Sequence, residues 1–199
     1  PLMLLDIYTD FRETNRILGN IEVGINLYKG LQYKLNASID NTVSERIGQS
    51  DPHNIPDLQY NTGRLNQGNV KNNSQVIENY LTYALDKGNH KLDFLLGHSY
   101  QSFFYQSRSW SINNFGTTEI EPYYNPGIGT SLDISVNRPS GSATKNELQS
   151  FFTRANYNFL GRYIFTGTVR MDGSSKFGAN KKYAFFPSFG AAWRISEES

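Results

Sequence analysis

The residues that could do chemistry are few and scattered. Glu119 and Glu121 sit close to Trp110, Tyr123 and Tyr124. A carboxylate pair can cleave a glycoside, but only when a substrate cleft holds the two groups at a set separation. Two glutamates two positions apart on one loop lack that separation. The flat rings of Trp110, Tyr123 and Tyr124 offer a simpler chemistry, stacking on the apolar faces of sugars. They are the candidate ligand contacts. His53 beside Asp51 resembles half a metal site, but the chain holds 3 histidines in all, and His90 and His98 fall on a different hairpin. No ligand set has a recognisable metal spacing. With no cysteine, thiol catalysis, disulfides and thiolate metal sites are excluded. Gly173-Ser-Ser-Lys176 superficially suggests a phosphate loop, yet it lies between strand patterns rather than ahead of a helix. Gly127-Ile-Gly129 signals a turn. No nucleophile–base pair emerges, so an enzyme is not expected, and no cofactor is implied.

The elements that carry these residues show one dominant signal, alternation of period two. Ile17, Gly19, Ile21, Val23, Ile25 and Leu27 alternate with Arg16, Asn20, Glu22 and Asn26. After Lys29-Gly30 the pattern resumes with Leu31, Tyr33, Leu35, Ala37 and Ile39 against Lys34, Asn36 and Asp40. A second hairpin covers 75–105 around Lys87-Gly88-Asn89, and a third covers 147–172 around Leu160-Gly161. A seventh strand runs over 183–195, with Phe186 out of pattern. His98 likewise stands on an apolar face. The expected strands are about 11–15 residues long, against about 5–6 in soluble sheets and about 9–11 for a tilted membrane crossing. Tight turns alternate with long polar links, expected at 44–74, 106–146 and 173–182.

Composition agrees. The 199 residues carry 19 Lys+Arg and 18 Asp+Glu, a net charge of +1, which offers no basic stripe for nucleic acid. Aromatics reach 14% while all hydrophobic residues are only 38%. No apolar run approaches the roughly 18 residues of a membrane helix. Tyr157, Phe159, Tyr163 and Phe165 cluster at one rim. Phe103, Phe104, Tyr105, Tyr183 and Phe185 cluster at the other. Two aromatic girdles, short turns on one side and long loops on the other are the signature of an outer-membrane barrel. The fold class expected is all-β, an antiparallel up-and-down transmembrane β-barrel segment of about seven long strands. Arg16, Glu22, Lys34, Asp40, Arg154, Arg170 and Arg194 fall on the expected lumen face, with Glu22 and Lys34 placed to pair across neighbouring strands. The rival is a secreted soluble β-sandwich that binds carbohydrate, in which the apolar faces meet a second sheet.

The last forty residues add a resemblance. Thr168-Val169-Arg170, then Asp172-Gly-Ser-Ser-Lys-Phe-Gly178, then Phe186-Pro-Ser188, then Trp193-Arg-Ile-Ser-Glu-Glu198 closely resemble the SusC/RagA family of TonB-dependent outer-membrane transporters. Arg16-Ile-Leu-Gly-Asn20, Leu81-Thr-Tyr83 and His98-Ser-Tyr-Gln101 fit it more loosely. The resemblance implies a 22-stranded barrel in the outer membrane of Bacteroidota-like bacteria, importing glycans or peptides. It also implies a plug, a TonB box coupling to the TonB complex, and a SusD-like surface lipoprotein as lid. Residues 1–199 would then be a partial barrel domain, a fragment without plug or TonB box, its outward side against outer-membrane lipid.

Overall fold

The computed structural model describes residues 8–52, 62–116, 119–130, 138–178 and 181–198. Its strands are β1 (Tyr8–Tyr28), β2 (Leu31–Ser50), β3 (Arg64–Lys87), β4 (His90–Asn113), β5 (Ser140–Phe159), β6 (Tyr163–Ser174) and β7 (Tyr183–Trp193). They form one 7-stranded sheet in sequence order, which is an up-and-down meander. The described strands therefore offer no second sheet of the kind a sandwich requires. No helix among the described residues is long and apolar enough to cross a membrane, which leaves crossing by strands untouched.

The three tight turns lie where the alternation pauses. Gly30, Gly88 and Gly161 have φ of 79°, 60° and 71°, values that a residue without Cβ adopts at little cost. In β5–β7 the register joins like with like. Phe151 opposes Met171, which opposes Phe185; on the other face Arg154 opposes Thr168, which opposes Ser188. Because side chains alternate between faces, each strand pair extends one apolar and one polar stripe.

The strands are longer than the alternation suggests. They run from 11 residues in β7 to 24 in β3 and β4. β2 continues past Val43 to Ser50, β3 begins at Arg64, β4 runs on to Asn113 and β5 begins at Ser140. The links expected at 44–74 and 106–146 are thus shortened at both ends, by 44–50 and 64–74 in the first and by 106–113 and 140–146 in the second. The added segments are mostly polar, with isolated apolar residues such as Ile47, Leu65, Trp110 and Ile112 that are too sparse to set an alternation, but main-chain pairing needs none. Serine pairs span β4 and β5 there, Ser107 to Ser142 at 3.0 Å and Ser109 to Ser140 at 2.7 Å. At the other end β7 stops at Trp193, and Ile195–Glu197 is a 3₁₀ turn, so Arg194 lies just beyond the strand. His53 lies outside the described residues.

The chain divides into two compact units: Pro1–Ile17 with Asn41–Asn73 and Phe104–Thr144, and Leu18–Asp40 with Ser74–Phe103 and Lys145–Ser199. The first has a small core of Ile47, Leu65 and Phe115, onto which Trp110, Ile112, Tyr123 and Ile128 pack. In the second, large apolar side chains stand outward. Ile21 is 69% exposed and Phe189 78%, the reverse of a water-soluble core.

Candidate functional site

The polar face of the second unit is built from even-numbered residues of β1–β3 and their neighbours. Lys34 Nζ meets Glu22 at 2.7 Å, the pair that the spacing anticipates. Asn36 Nδ2 donates to Glu78 at 3.1 Å. These groups, with Gln32, Tyr80, Thr82 and Leu95, line a cavity of about 450 Å³. Farther along the face, Arg170 donates through Nε to both Asp172 oxygens at 2.8 Å and through a terminal nitrogen to Ser150 at 3.1 Å. Its guanidinium lies 5.3 Å from the centre of the Phe152 ring, and Tyr80 meets that ring edge-on at 5.9 Å. Phe186, out of pattern in the sequence, is the register partner of Arg170. Arg154 Nε reaches Thr168 at 3.5 Å. Arg16 and Asp40 are also engaged with partners. Neutralised charges and hydrogen-bonding groups suit a wetted surface or a polar guest, not a proton-transfer reaction.

The opposite face holds a row that the alternation does not foresee. Tyr33 donates to Asn79 at 2.7 Å, Asn79 lies 3.3 Å from His98 Nδ1, Gln149 lies 3.2 Å from His98 Nε2, and Tyr183 donates to Gln149 at 2.8 Å. Gly173 leaves room for the Tyr183 ring, since a Cβ there would come within 2.4 Å of it. Polar side chains on an apolar face are costly unless each finds a partner. His98 therefore marks a hydrogen-bonded row rather than a break in the strand. The spacing hides it because Tyr33, Asn79, His98, Gln149 and Tyr183 are far apart in sequence and become neighbours only through register.

In the first unit, Gln49 is 3% exposed. Its amide accepts from the Tyr123 N–H at 2.9 Å and donates to Glu121 at 2.8 Å, fastening the loop segment 119–130 onto β2. Phe11 meets Tyr123 edge-on at 5.8 Å. Of the aromatic candidates, Trp110 is in β4 rather than a loop and, like Tyr123, is half-buried in packing, whereas Tyr124 is 74% exposed. Glu121 serves the loop clasp, and Glu119 is engaged elsewhere. At the outer ends of β1 and β2, Arg46 grips Asp10 through two nitrogens, at 2.9 and 2.5 Å. That hydrogen bond, ahead of the charge attraction, holds the Asp10 carboxyl below its ordinary range and raises the Arg46 guanidinium. Gln49, Asp10 and Arg46 escape the sequence reading because nothing local distinguishes them from solvated polar residues. Among the described residues no cluster of His, Asp and Glu could hold a metal ion.

This geometry has relatives. A family model described as TonB dependent receptor-like, beta-barrel, matches residues 6–199. The chain is 33% identical, over its full length, to TonB-dependent receptor P3 of Formosa agariphila, and 27% identical to TonB-dependent receptor SusC of Bacteroides thetaiotaomicron. It covers 19% of each of those proteins, so it spans about a fifth of their length. Among solved structures, the RagAB peptide importer in its 'closed-closed' state superposes with a TM-score of 0.86 at 25% identity, over 98% of this chain and 22% of the other.

Proposed function

This chain belongs to the TonB-dependent receptor-like β-barrel family, and from that premise we propose that it is a stretch of barrel wall in an outer-membrane importer of large nutrients. The observation that carries the reading is the two-faced sheet. One face sets Ile17, Ile21, Phe185 and Phe189 outward, as lipid contact demands. The other sets Glu22, Lys34, Arg154 and Arg170 toward a wetted lumen. In the whole protein the remaining strands, up to the 22 of the resemblance, close the sheet, because an open edge in hydrocarbon leaves main-chain groups without partners.

The wall's part in transport is to insulate and to hold. Its outward aliphatic and aromatic side chains replace water with lipid. Its inward ion pairs and amides give a plug a surface on which hydrogen bonds can be exchanged one for another. Coupling to the TonB complex releases the plug, and a SusD-like lipoprotein closes the outer mouth over a glycan or peptide. Arg16, Asp40 and Arg194 join the lumen set in this reading, and Tyr124, the exposed ring, is the foremost of the aromatic ligand contacts. The activity is transport, not catalysis.

The test is uptake of radiolabelled oligosaccharides and peptides by cells expressing the full-length gene, with and without a functional TonB. Accumulation that requires both supports the reading. Accumulation indifferent to TonB, or full-length protein fractionating away from the outer membrane, would sink it.

A further inference from the structure

The motif Gly173-Ser-Ser-Lys176 has no part in the lumen. Between Gly173 and Tyr183 the chain carries three lysines and no carboxylate. Lys176, Lys181 and Lys182 are exposed, and none is in an ion pair among the described residues. Beside them is a cavity of about 160 Å³, bordered by Tyr100, Glu147, Gln149, Ser175, Lys182 and Tyr183. Small-ligand sites usually measure about 300–1,000 Å³, so this one is too small for a nutrient but has room for a single polar group. Tyr100, Gln149 and Tyr183 share the outward face with His98. The corner is held in place. The Ser174 N–H donates to the Lys182 carbonyl at 3.0 Å and the Ser175 N–H to the Glu147 carbonyl at 2.9 Å. Ser175 Oγ accepts from the Glu147 N–H at 2.8 Å, and Ser174 Oγ from the Lys176 N–H at 3.2 Å. Each hydroxyl thus accepts from main chain and keeps its own proton to donate. Glu147 does not cancel the three lysines, because it is already engaged by Lys145 at 2.6 Å and by Tyr100 at 2.8 Å.

We propose that this corner of the outward face seats the phosphate of an outer-leaflet lipid, with Lys176, Lys181 and Lys182 as counter-charges and the Ser174 and Ser175 hydroxyls as donors. The proposal rests on the barrel-wall reading, which places lipid against this face. Charge argues for an anion, since lysines without carboxylate partners suit a phosphate. Their four-carbon stems let the ammonium groups reach a headgroup while lying along apolar surface. Register argues that the anion belongs to a lipid. Gln149, Gly173 and Tyr183 form one rung across β5–β7, and Phe151, Met171 and Phe185 form a rung two residues farther from the lysines. Two residues of strand span about 7 Å, so a polar seat passes directly into exposed apolar side chains. A lipid uses both, its phosphate on the seat and its chains along the stripe. A free phosphate has no use for the stripe. Nor has it for Phe177, which stands 51% exposed among the lysines, as rings do at headgroup level. Anionic membrane surfaces attract lysine clusters placed in this way.

The test titrates the full-length transporter in dodecylmaltoside micelles with monophosphoryl lipid A, and with the same lipid after removal of its phosphate. Native mass spectrometry reads the lipid retained. One variant combines Lys176→Gln, Lys181→Gln and Lys182→Gln; the side chains are exposed, so its thermal midpoint should match the parent's. Lys87→Gln, at the β3–β4 turn on the other rim, is the control for charge alone. Phe177→Ser tests the apolar half. The expected result is that the parent holds the phosphorylated lipid about tenfold or more tighter than the dephosphorylated one. The triple variant should lose that preference, and Lys87→Gln should keep it. Phe177→Ser should weaken both lipids alike, by about threefold. No preference in the parent, a preference that survives the triple variant, or an equal loss in Lys87→Gln overturns the proposal. Displacement of the lipid by an equal concentration of inorganic phosphate would mark a free-anion site and overturns it too. TonB-dependent uptake and membrane fractionation in parallel separate the two readings. If uptake needs TonB while lipid retention ignores the lysines, the lipid seat fails alone; if the full-length protein fractionates away from the outer membrane, the importer reading fails.

Discussion

Gln49→Met is the most informative single change. It keeps side-chain length and volume while deleting both arms of the clasp on the loop segment 119–130. One lost bond is neutral, from the Tyr123 N–H at 2.9 Å, and the other runs to the Glu121 carboxylate at 2.8 Å. A neutral hydrogen bond contributes about 0.5–1.5 kcal/mol and one to a charged group about 1.5–3 kcal/mol. Glu121 is exposed, so water competes for it and the lower ends apply, giving about 2–3 kcal/mol together. Volume is conserved, so no cavity cost is added. At about 1.4 kcal/mol per tenfold, local opening of the loop should become about 30- to 150-fold more frequent. Amide hydrogen exchange in the full-length protein reads this directly. Tyr123 and Tyr124, whose N–H donates to Glu121 at 3.0 Å, should lose protection by that factor. Phe115, bonded through its N–H to Thr62 at 2.7 Å and packed on Ile47 and Leu65, should not. A change under about threefold at Tyr123 would refute the clasp. An equal loss at Phe115 would mean global rather than local opening, and would refute it equally.

Other outcomes follow from the same contacts. Gly97→Ala sets a Cβ at 2.2 Å from the Phe152 ring, which is held against Tyr80 and Arg170, and should lower stability by about 1–3 kcal/mol in equilibrium unfolding from lipid; Gly190→Ala, with nothing within 4 Å, should not. His98→Leu strands the amides of Asn79 and Gln149 on the apolar face and should cost about 1–3 kcal/mol in the same assay. Replacing all three by leucine should recover most of that loss, and failure to recover would show that the row contributes more than mutual satisfaction. The Asp10 carboxyl is held below its ordinary 3.8 by Arg46, so the ion pair stabilises the folded state fully above about pH 4 and loses that contribution as pH falls through the lowered value. Carboxyl NMR of Asp10 should report the depressed titration, and Arg46→Met should return it toward 3.8.

The division between what the sequence determined and what tertiary structure decided follows from where the membrane imposes a pattern. In the barrel-wall reading, lipid on one side and water on the other force alternation between the tight turns and the aromatic girdles. The order of the seven strands, the turns at Gly30, Gly88 and Gly161, and the pairing of Glu22 with Lys34 are all legible there. Phe186 shows the limit of that rule, since its place beside Arg170 is a matter of register. Beyond the girdles apolar residues such as Ile47 and Leu65 are too sparse to set an alternation that the sequence displays. The outer strand of Arg64–Ser74 therefore reads as loop, and Trp110 reads as a loop aromatic, although β3 and β4 run through both. The row from Tyr33 to Tyr183 and the Gln49 clasp depend on residues tens of positions apart meeting across strands. Alternation tells which face a side chain occupies; only pairing register tells which neighbour it finds, and it is the neighbours that make a site.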